Sequence, residues 1–239
     1  MEEGNSLFLL DKHHRKEYDE ILIKKGLLNI KRWSTSELFI KQFLDIFGGI
    51  IGTLLCIIVA LILIIPYILS NEKDKGPMFF KQKRYGLHGE IFYILKFRTM
   101  IVDAETYLEN HPEVKQKYHE NGNKLSDDPR ITRLGSFIRQ YSIDELPQFI
   151  NVLKGDMALV GPRPILLFEA KEYAERLPYL LMCKPGITGS WTTQGRSKVL
   201  FPERTDLELQ YLKCHSTTYD IRLLAITICQ ICKERMRAY

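Results

Sequence analysis

The chain has 239 residues, with 34 Lys plus Arg against 29 Asp plus Glu, for a net charge of +5. That length supports one sizeable core, and the modest basic excess favours anionic partners (phosphates, acidic lipid or nucleic acid) without choosing among them. Five scattered cysteines, odd in number and without framework spacing, exclude a disulfide scaffold and suit a reducing compartment.

Residues 1–41 are polar and basic, with apolar positions such as Ile21, Leu22, Leu27, Leu28, Leu38 and Phe39. Short amphipathic helices on a membrane surface and an ordinary solvated tail both fit this pattern. The apolar core starts too late for a cleavable signal. Residues 46–69 contain no charge and are dominated by Ile and Leu. About 20 apolar residues suffice to cross a bilayer, and soluble helices keep a polar face, so 42–72 is predicted to be a membrane-embedded helix. Gly48-Gly49 and Pro66 are its expected bends. Lys31, Arg32 and Lys41 precede it, and Lys73, Lys75, Lys81, Lys83 and Arg84 follow. A spanning helix has asymmetric flanks, so this symmetry predicts a re-entrant segment with both ends cytoplasmic.

Residues 78–82 and 90–97 read as strands around a Gly-rich turn over 84–89, a β-hairpin. Lys96 and Arg98 alternate with Leu95 and Phe97, which puts both cations on one face, able to hold a phosphate or to face water. Residues 102–108 read as a short helix, and 109–124 as a polar connection interrupted by Pro112 and Gly122. A turn at Asp127-Asp128-Pro129-Arg130-Ile131-Thr132-Arg133 carries two arginines, and 136–140 starts a helical passage. Residues 166–177 have helical spacing, and 184–191 form a Pro/Gly loop with Arg196 behind it. Residues 220–237 suit a surface amphipathic helix or one packed on the core. Cys229-x-x-Cys232 has no second pair and lies in an apolar stretch, so both read as small buried hydrophobes.

The passage 139–164 concentrates the chemistry. Asp144 and Glu145 precede Pro147, and proline is tolerated in a first helical turn, which predicts a helix from about Asp144. Both carboxylates would then stand at a positive helix end, beside unpaired N–H groups. Arg139, Lys154 and Arg163 fall around them and could neutralise a phosphate. A carboxylate attacks phosphorus only if cations or a divalent metal cancel the repulsion of two anions. Structural capping explains the same residues: Asp144 as an N-cap, or Ser142-x-x-Glu145 as a capping box.

Seven stretches then occur in order behind the apolar run. They are Gly76-Pro77-Met78-Phe79-Phe80-Lys81-Gln82, Lys96-Phe97-Arg98-Thr99-Met100, Asp128-Pro129-Arg130-Ile131-Thr132-Arg133 and Asp144-Glu145-Leu146-Pro147-Gln148. Gly155-Asp156-Met157, Gly161-Pro162-Arg163-Pro164 and Lys184-Pro185-Gly186-Ile187-Thr188-Gly189 complete the set. From about Lys41 onward the chain resembles the bacterial sugar transferase family, the monotopic phosphoglycosyl transferases. The resemblance implies transfer of a sugar 1-phosphate from a UDP-sugar to polyprenyl (undecaprenyl) phosphate, with release of UMP, as the first step of polysaccharide or glycoconjugate synthesis. It implies that Asp144 is the nucleophile and contacts Mg²⁺ (or Mn²⁺), and that Glu145 is its partner. Lys96, Arg139 and Arg163 match cationic positions around the phosphates, and Pro162 and Pro164 lie at the nucleotide end. Two departures stand out. The family breaks its membrane helix with a central Ser-Pro that this chain lacks, and Thr192-Thr193-Gln194-Gly195-Arg196 differs from the family form.

The predicted fold is α+β and mostly helical: a small β-hairpin with catalytic helices, one membrane-embedded re-entrant N-terminal helix, and surface amphipathic helices. The parts are a basic extension (1–41), the membrane helix (42–72) and a catalytic domain (73–239) on the cytoplasmic face of the bacterial cell membrane. The competing class is a non-catalytic membrane-surface protein that binds acidic lipid or nucleic acid. No aromatic-interleaved base-binding strand is evident, so nucleic acid is not an expected partner.

Overall fold

The fold is taken from a computed structural model that describes residues 33–69, 76–120, 125, 127–173, 176–194, 199 and 201–237. The expected amphipathic helices over 1–32, the flanking Lys73 and Lys75, and Gly195-Arg196 lie outside the described residues.

Helix α1, Thr35–Ile68, is 34 residues long and long and apolar enough to cross a membrane. It starts well before the charge-free run because Ser34 and Glu37 form a capping box, with Glu37 N–H donating to Ser34 Oγ at 3.2 Å and Ser34 N–H to Glu37 Oε2 at 3.0 Å. The helix runs on through the glycine pair and through Pro66. The glycines, expected as a bend, instead form a slot. A Cβ on Gly48 would fall 2.6 Å from Leu159 Cδ1, and one on Gly49 2.7 Å from Leu153 Cδ2. A Cβ on Gly52 would overlap the Phe149 ring. Their missing side chains let the helix seat against the domain.

That inner stripe (Gly49, Gly52, Cys56, Leu63, Tyr67) is buried, while Phe39, Phe43, Leu54, Ile58, Leu61 and Ile65 point outward and are exposed. Polar contacts hold both ends. Lys41 Nζ donates to Val160 O at 2.9 Å and pairs with Asp220 Oδ2 at 2.8 Å, and Leu159 N–H donates to Asp45 Oδ1 at 2.8 Å. At the far end the Tyr67 hydroxyl donates to Arg98 O.

The hairpin follows: β1 (Phe79–Tyr85) and β2 (Ile91–Phe97) pair antiparallel, with Phe80 opposite Lys96 and Arg84 opposite Phe92. Its turn is made by His88 at φ 56° and Gly89 at φ 78°. Next come α2 (Ala104–Asn110), α3 (Pro112–Glu120), α4 (Arg133–Gln140) and α5 (Gln148–Lys154). Pro112, expected to interrupt, opens α3, since its fixed φ and missing N–H suit a first helical position. Then β3 (Ala158–Val160), β4 (Ile165–Leu166), α6 (Ala170–Tyr173), α7 (Leu177–Leu180), β5 (Gly186–Thr188), α8 (Ser190–Gln194), α9 (Glu203–Cys214) and α10 (Thr217–Arg237) complete the chain.

The expected helix over 166–177 is replaced by β4, a 3-10 turn and two short helices. Leu166 is drawn into the sheet by pairing with Arg84, giving the order β2-β1-β4, while β3 and β5 form a parallel pair. Cys229 and Cys232 are exposed on α10 rather than buried, because the core-facing position of that helix is Leu223. One apolar cluster joins the sheet to α7, α9 and α10 through Phe92, Ile94, Val160, Leu180 and Leu212. A second joins Cys56, Leu63 and Tyr67 of α1 to Phe97 and Ile138, with Ile143, Leu146 and Ile150 packed against it. The acid-bearing turn therefore rests on the apolar helix.

Candidate active site

Asp144 and Glu145 occupy a 3-10 turn, Ile143–Glu145, between α4 and α5. The regular helix starts only after Pro147, four residues later than the sequence suggests. The capping box at Ser142 does not form. Ser142 sits at φ 53° without a side-chain cap bond, and its carbonyl instead accepts the Glu145 N–H at 3.4 Å. A left-handed non-glycine residue costs on the order of 1 kcal/mol or more, and such strain clusters at functional sites.

Lys96, at the end of β2, reaches both acids: its Nζ lies 3.1 Å from Glu145 Oε1 and 3.6 Å from Asp144 Oδ2. The Asp144 side chain is 15% exposed, that of Glu145 43%. Burial pushes the Asp144 carboxyl above its usual range; Lys96 and Arg139 pull it down, and Glu145 pushes it up. Arg139 is itself lowered by burial, against the support of Asp144 and Asp128.

Arg139 is aimed by the seat of α4. Thr132 caps that helix, its Oγ1 accepting the Gly135 N–H at 2.8 Å, and Thr132 N–H donates to Thr99 O at 3.0 Å. Gly135 lies so close to the Thr99 carbonyl that no Cβ fits. Arg139 Nε then donates to Thr99 Oγ1 at 2.8 Å.

Other cations lie elsewhere. Arg98, expected on the same strand face as Lys96, is buried and donates to the carbonyls of Pro77 (2.7 Å), Met100 (2.9 Å) and Gly76 (3.3 Å). Past the end of β2 the alternation no longer decides where it points. Lys154 is exposed in the last turn of α5. Arg130 is closed on Asp128 by two bonds of 2.8 and 2.7 Å.

Arg163 joins a second cluster. Its guanidinium lies 5.0 Å from the Trp191 ring centre, and its N–H donates to Glu208 Oε2 at 3.0 Å. Buried Arg84 and Arg204 lie near it, and Arg204 reaches Glu169 at 3.6 Å. Burial lowers Arg84 to about 10, with Arg163 and Arg204 adding to the effect. Pro162 and Pro164 are buried, and their carbonyls accept from Gly186 N–H and Arg84 Nη1–H, both at 2.8 Å. They bracket Arg163 rigidly. Arg84, Arg204 and Glu208 escaped sequence reasoning, which counts Arg84 only as a flank charge. The i, i+4 spacing of Arg204 and Glu208 was the available signal of a shared helix face.

The two clusters sit on the same face of the hairpin, because Lys96 opposes Phe80, and Arg84 lies four residues further along β1. The backbone separation is about 13 Å at roughly 3.3 Å per residue. Among the described residues no three His, Cys, Asp or Glu side chains gather as a metal site; Asp144 and Glu145 are adjacent carboxylates in the turn.

Residues 36–234 match the family model described as bacterial sugar transferase. The chain is 46% identical over 204 residues to the galactosyl transferase CpsE of Streptococcus agalactiae serotype III, covering 84% of this chain and 44% of that protein. It is 39% identical over 209 residues to an undecaprenyl-phosphate galactose phosphotransferase of Salmonella typhimurium, covering 86% and 42%. With EpsL of Bacillus subtilis, an uncharacterized sugar transferase, it shares 36% identity over 191 residues, 80% of this chain and 86% of that one. The chain thus spans less than half the length of the first two relatives and most of the third.

Proposed function

This chain belongs to the bacterial sugar transferase family, and on that premise we propose that it moves a sugar 1-phosphate from a UDP-sugar to polyprenyl phosphate at a membrane surface. The observation that carries this reading is the Lys96 ammonium held between Asp144 and Glu145 on a floor formed by α1. Two relatives whose names state a lipid carrier or a galactosyl transfer support the reaction class.

In this reading an Asp144 oxygen attacks the phosphorus that bears the sugar. The bond from that phosphorus to the UMP oxygen breaks, and its electron pair leaves with UMP. A polyprenyl phosphate oxygen then attacks the same phosphorus and displaces the Asp144 carboxylate, which completes a diphosphate. Splitting the transfer makes each step an attack on one activated centre. Attack requires Asp144 as carboxylate; burial opposes that form, and Lys96 with Arg139 counters part of that effect. The same cations offset charge on the transferring phosphoryl oxygens. Glu145, more exposed, orients Lys96 and can exchange protons with solvent. Arg163, with Pro162 and Pro164 as its bracket, would bind the nucleotide end of the donor. Two adjacent carboxylates suit Mg²⁺ or Mn²⁺ when substrate phosphates supply further oxygens. Asp144, with Glu145 beside it, would hold the ion, which supplies further charge neutralisation when bound.

The helix is proposed to lie in the cytoplasmic leaflet with both ends on that side, supported by polar contacts from Lys41 and Tyr67 to one domain. Single cysteines near residues 5 and 120 in a cysteine-free chain should both resist an impermeant thiol reagent in intact cells; labelling of only the first would show a crossing. The reaction itself is tested by UMP release from a panel of UDP-sugars with polyprenyl phosphate and Mg²⁺. Activity lost in a folded Asp144→Asn variant supports the reading. Full activity in that variant removes Asp144 as nucleophile, and no UMP from the wild type with any donor returns the chain to a non-catalytic lipid-binding role.

A further inference from the structure

Among the described residues β2 is an edge strand, so alternate N–H and C=O groups along its outer side have no strand to meet there. Two of these groups are met by a single side chain. Asn151, 1% exposed on α5, accepts the Leu95 N–H through Oδ1 at 2.9 Å and donates from Nδ2 to Tyr93 O at 2.8 Å. Its carboxamide thus pairs with β2 as a peptide group of a neighbouring strand would. The second amide hydrogen goes to Asp156 Oδ2 at 3.1 Å, so the orientation of the amide is fixed on both sides. The Asn151 main-chain carbonyl accepts the Asp156 N–H at 3.0 Å, which ties down the end of the same helix.

The position of this clasp gives it meaning. Lys96 immediately follows Leu95, and Asn151 lies on the helix that directly continues the Asp144-Glu145 turn. The clasp therefore joins the strand carrying the cation to the helix continuing from the acids. The Lys96 to Glu145 contact alone is partly exposed and would give little rigidity. The two bonds from the Asn151 carboxamide to the β2 backbone are neutral and buried, so that part of the clasp is little screened by salt.

We propose that Asn151 is a positioning residue that holds Lys96 in register with Asp144 and Glu145 during the transfer. This rests on the reaction proposed above. It also predicts coupling: Asn151 matters because Lys96 is there to be held.

The test is a double-mutant cycle on UMP release, with Asn151→Ala and Lys96→Ala made singly and together. Asn151→Ala should lower kcat/KM by on the order of 10²-fold, the scale of a misplacement of about 1 Å. In the Lys96→Ala background the same change should cost less than about threefold, because the group being positioned is gone. A merely structural asparagine would cost the same factor in both backgrounds, which would overturn the inference, as would wild-type kcat/KM in a folded Asn151→Ala protein. Should Asn151→Ala not fold, the cycle is run with Asn151→Asp, which keeps the shape and the acceptor for Leu95 but cannot donate to Tyr93 unless protonated. The same two outcomes then decide. Wild-type UMP release is the control that separates the claims: its absence refutes the reaction, whereas its presence with additive losses refutes only the role of Asn151.

Discussion

Glu208 offers a test of the second cluster that needs no substrate. Its side chain is 2% exposed; one oxygen accepts the Arg163 main-chain N–H at 3.0 Å, and the other, Oε1, is buried with no hydrogen-bond donor among the described residues. Burial pushes its carboxyl from 4.5 up to about 7, against the pull of the Arg163 N–H and the Arg204 and Arg163 guanidiniums. The folded state thus holds this proton more tightly than the unfolded chain does. The associated stability is fully present below about pH 4.5 and is lost as pH rises through about 7. The loss is on the order of 3 kcal/mol, from 1.36 kcal/mol per pKa unit. Glu208→Gln keeps an acceptor for Arg163 N–H and cannot ionise, so it removes this slope. Melting in detergent at pH 5 and pH 8 should show the variant gaining on the wild type as pH rises. Between pH 5 and pH 8 about 2.5 kcal/mol of this is lost, a relative shift of roughly 5–10 °C at about 2–4 °C per kcal/mol for a chain of this size. Parallel melting shifts in the two proteins would refute the argument that a buried, half-satisfied carboxylate sits among these arginines.

Gly135→Ala should push α4 off the Thr99 carbonyl, costing about 1–3 kcal/mol, and pull Arg139 from Thr99 Oγ1. Unchanged melting and UMP release would contradict that seat. Lys41→Met should destabilise by about 3–5 kcal/mol because it strands buried Asp220, and adding Asp220→Asn should recover part of the loss; a neutral single variant would disprove the clasp. EDTA should stop UMP release and Mg²⁺ or Mn²⁺ restore it, and turnover that persists in chelator would exclude the metal.

The features legible in the sequence were those written locally. An uninterrupted apolar run marks α1 and alternation around a glycine turn marks the hairpin, whereas the acid pair beside Pro147, read as a helix start, lies in a 3-10 turn ahead of α5. Distant contacts were less legible. Arg98 and Lys96 look equivalent two residues apart, yet Arg98 ends among backbone carbonyls because β2 stops between them. Arg163 is close to the acids in sequence, but its rigid bracket turns it toward Arg84 and Trp191. Gly48 and Gly49 read as a bend and, with Gly52, prove to be room for Leu159, Leu153 and Phe149, a packing demand from residues a hundred positions away. Two-residue β4 is too short to carry any periodicity of its own.

The glycine stripe has a practical consequence for anyone handling this protein. A removable anchor could be trimmed to give a water-soluble enzyme for screening or crystallisation. Trimming α1 here would bare Phe149, Leu153 and Leu159 and take Cys56, Leu63 and Tyr67 out of the packing beneath the acid turn. A headless fragment should precipitate or lose the turn geometry. Solubility is better sought by recoding the outward row of Phe39, Phe43, Leu54, Ile58, Leu61 and Ile65 to polar residues, which leaves every inward contact in place.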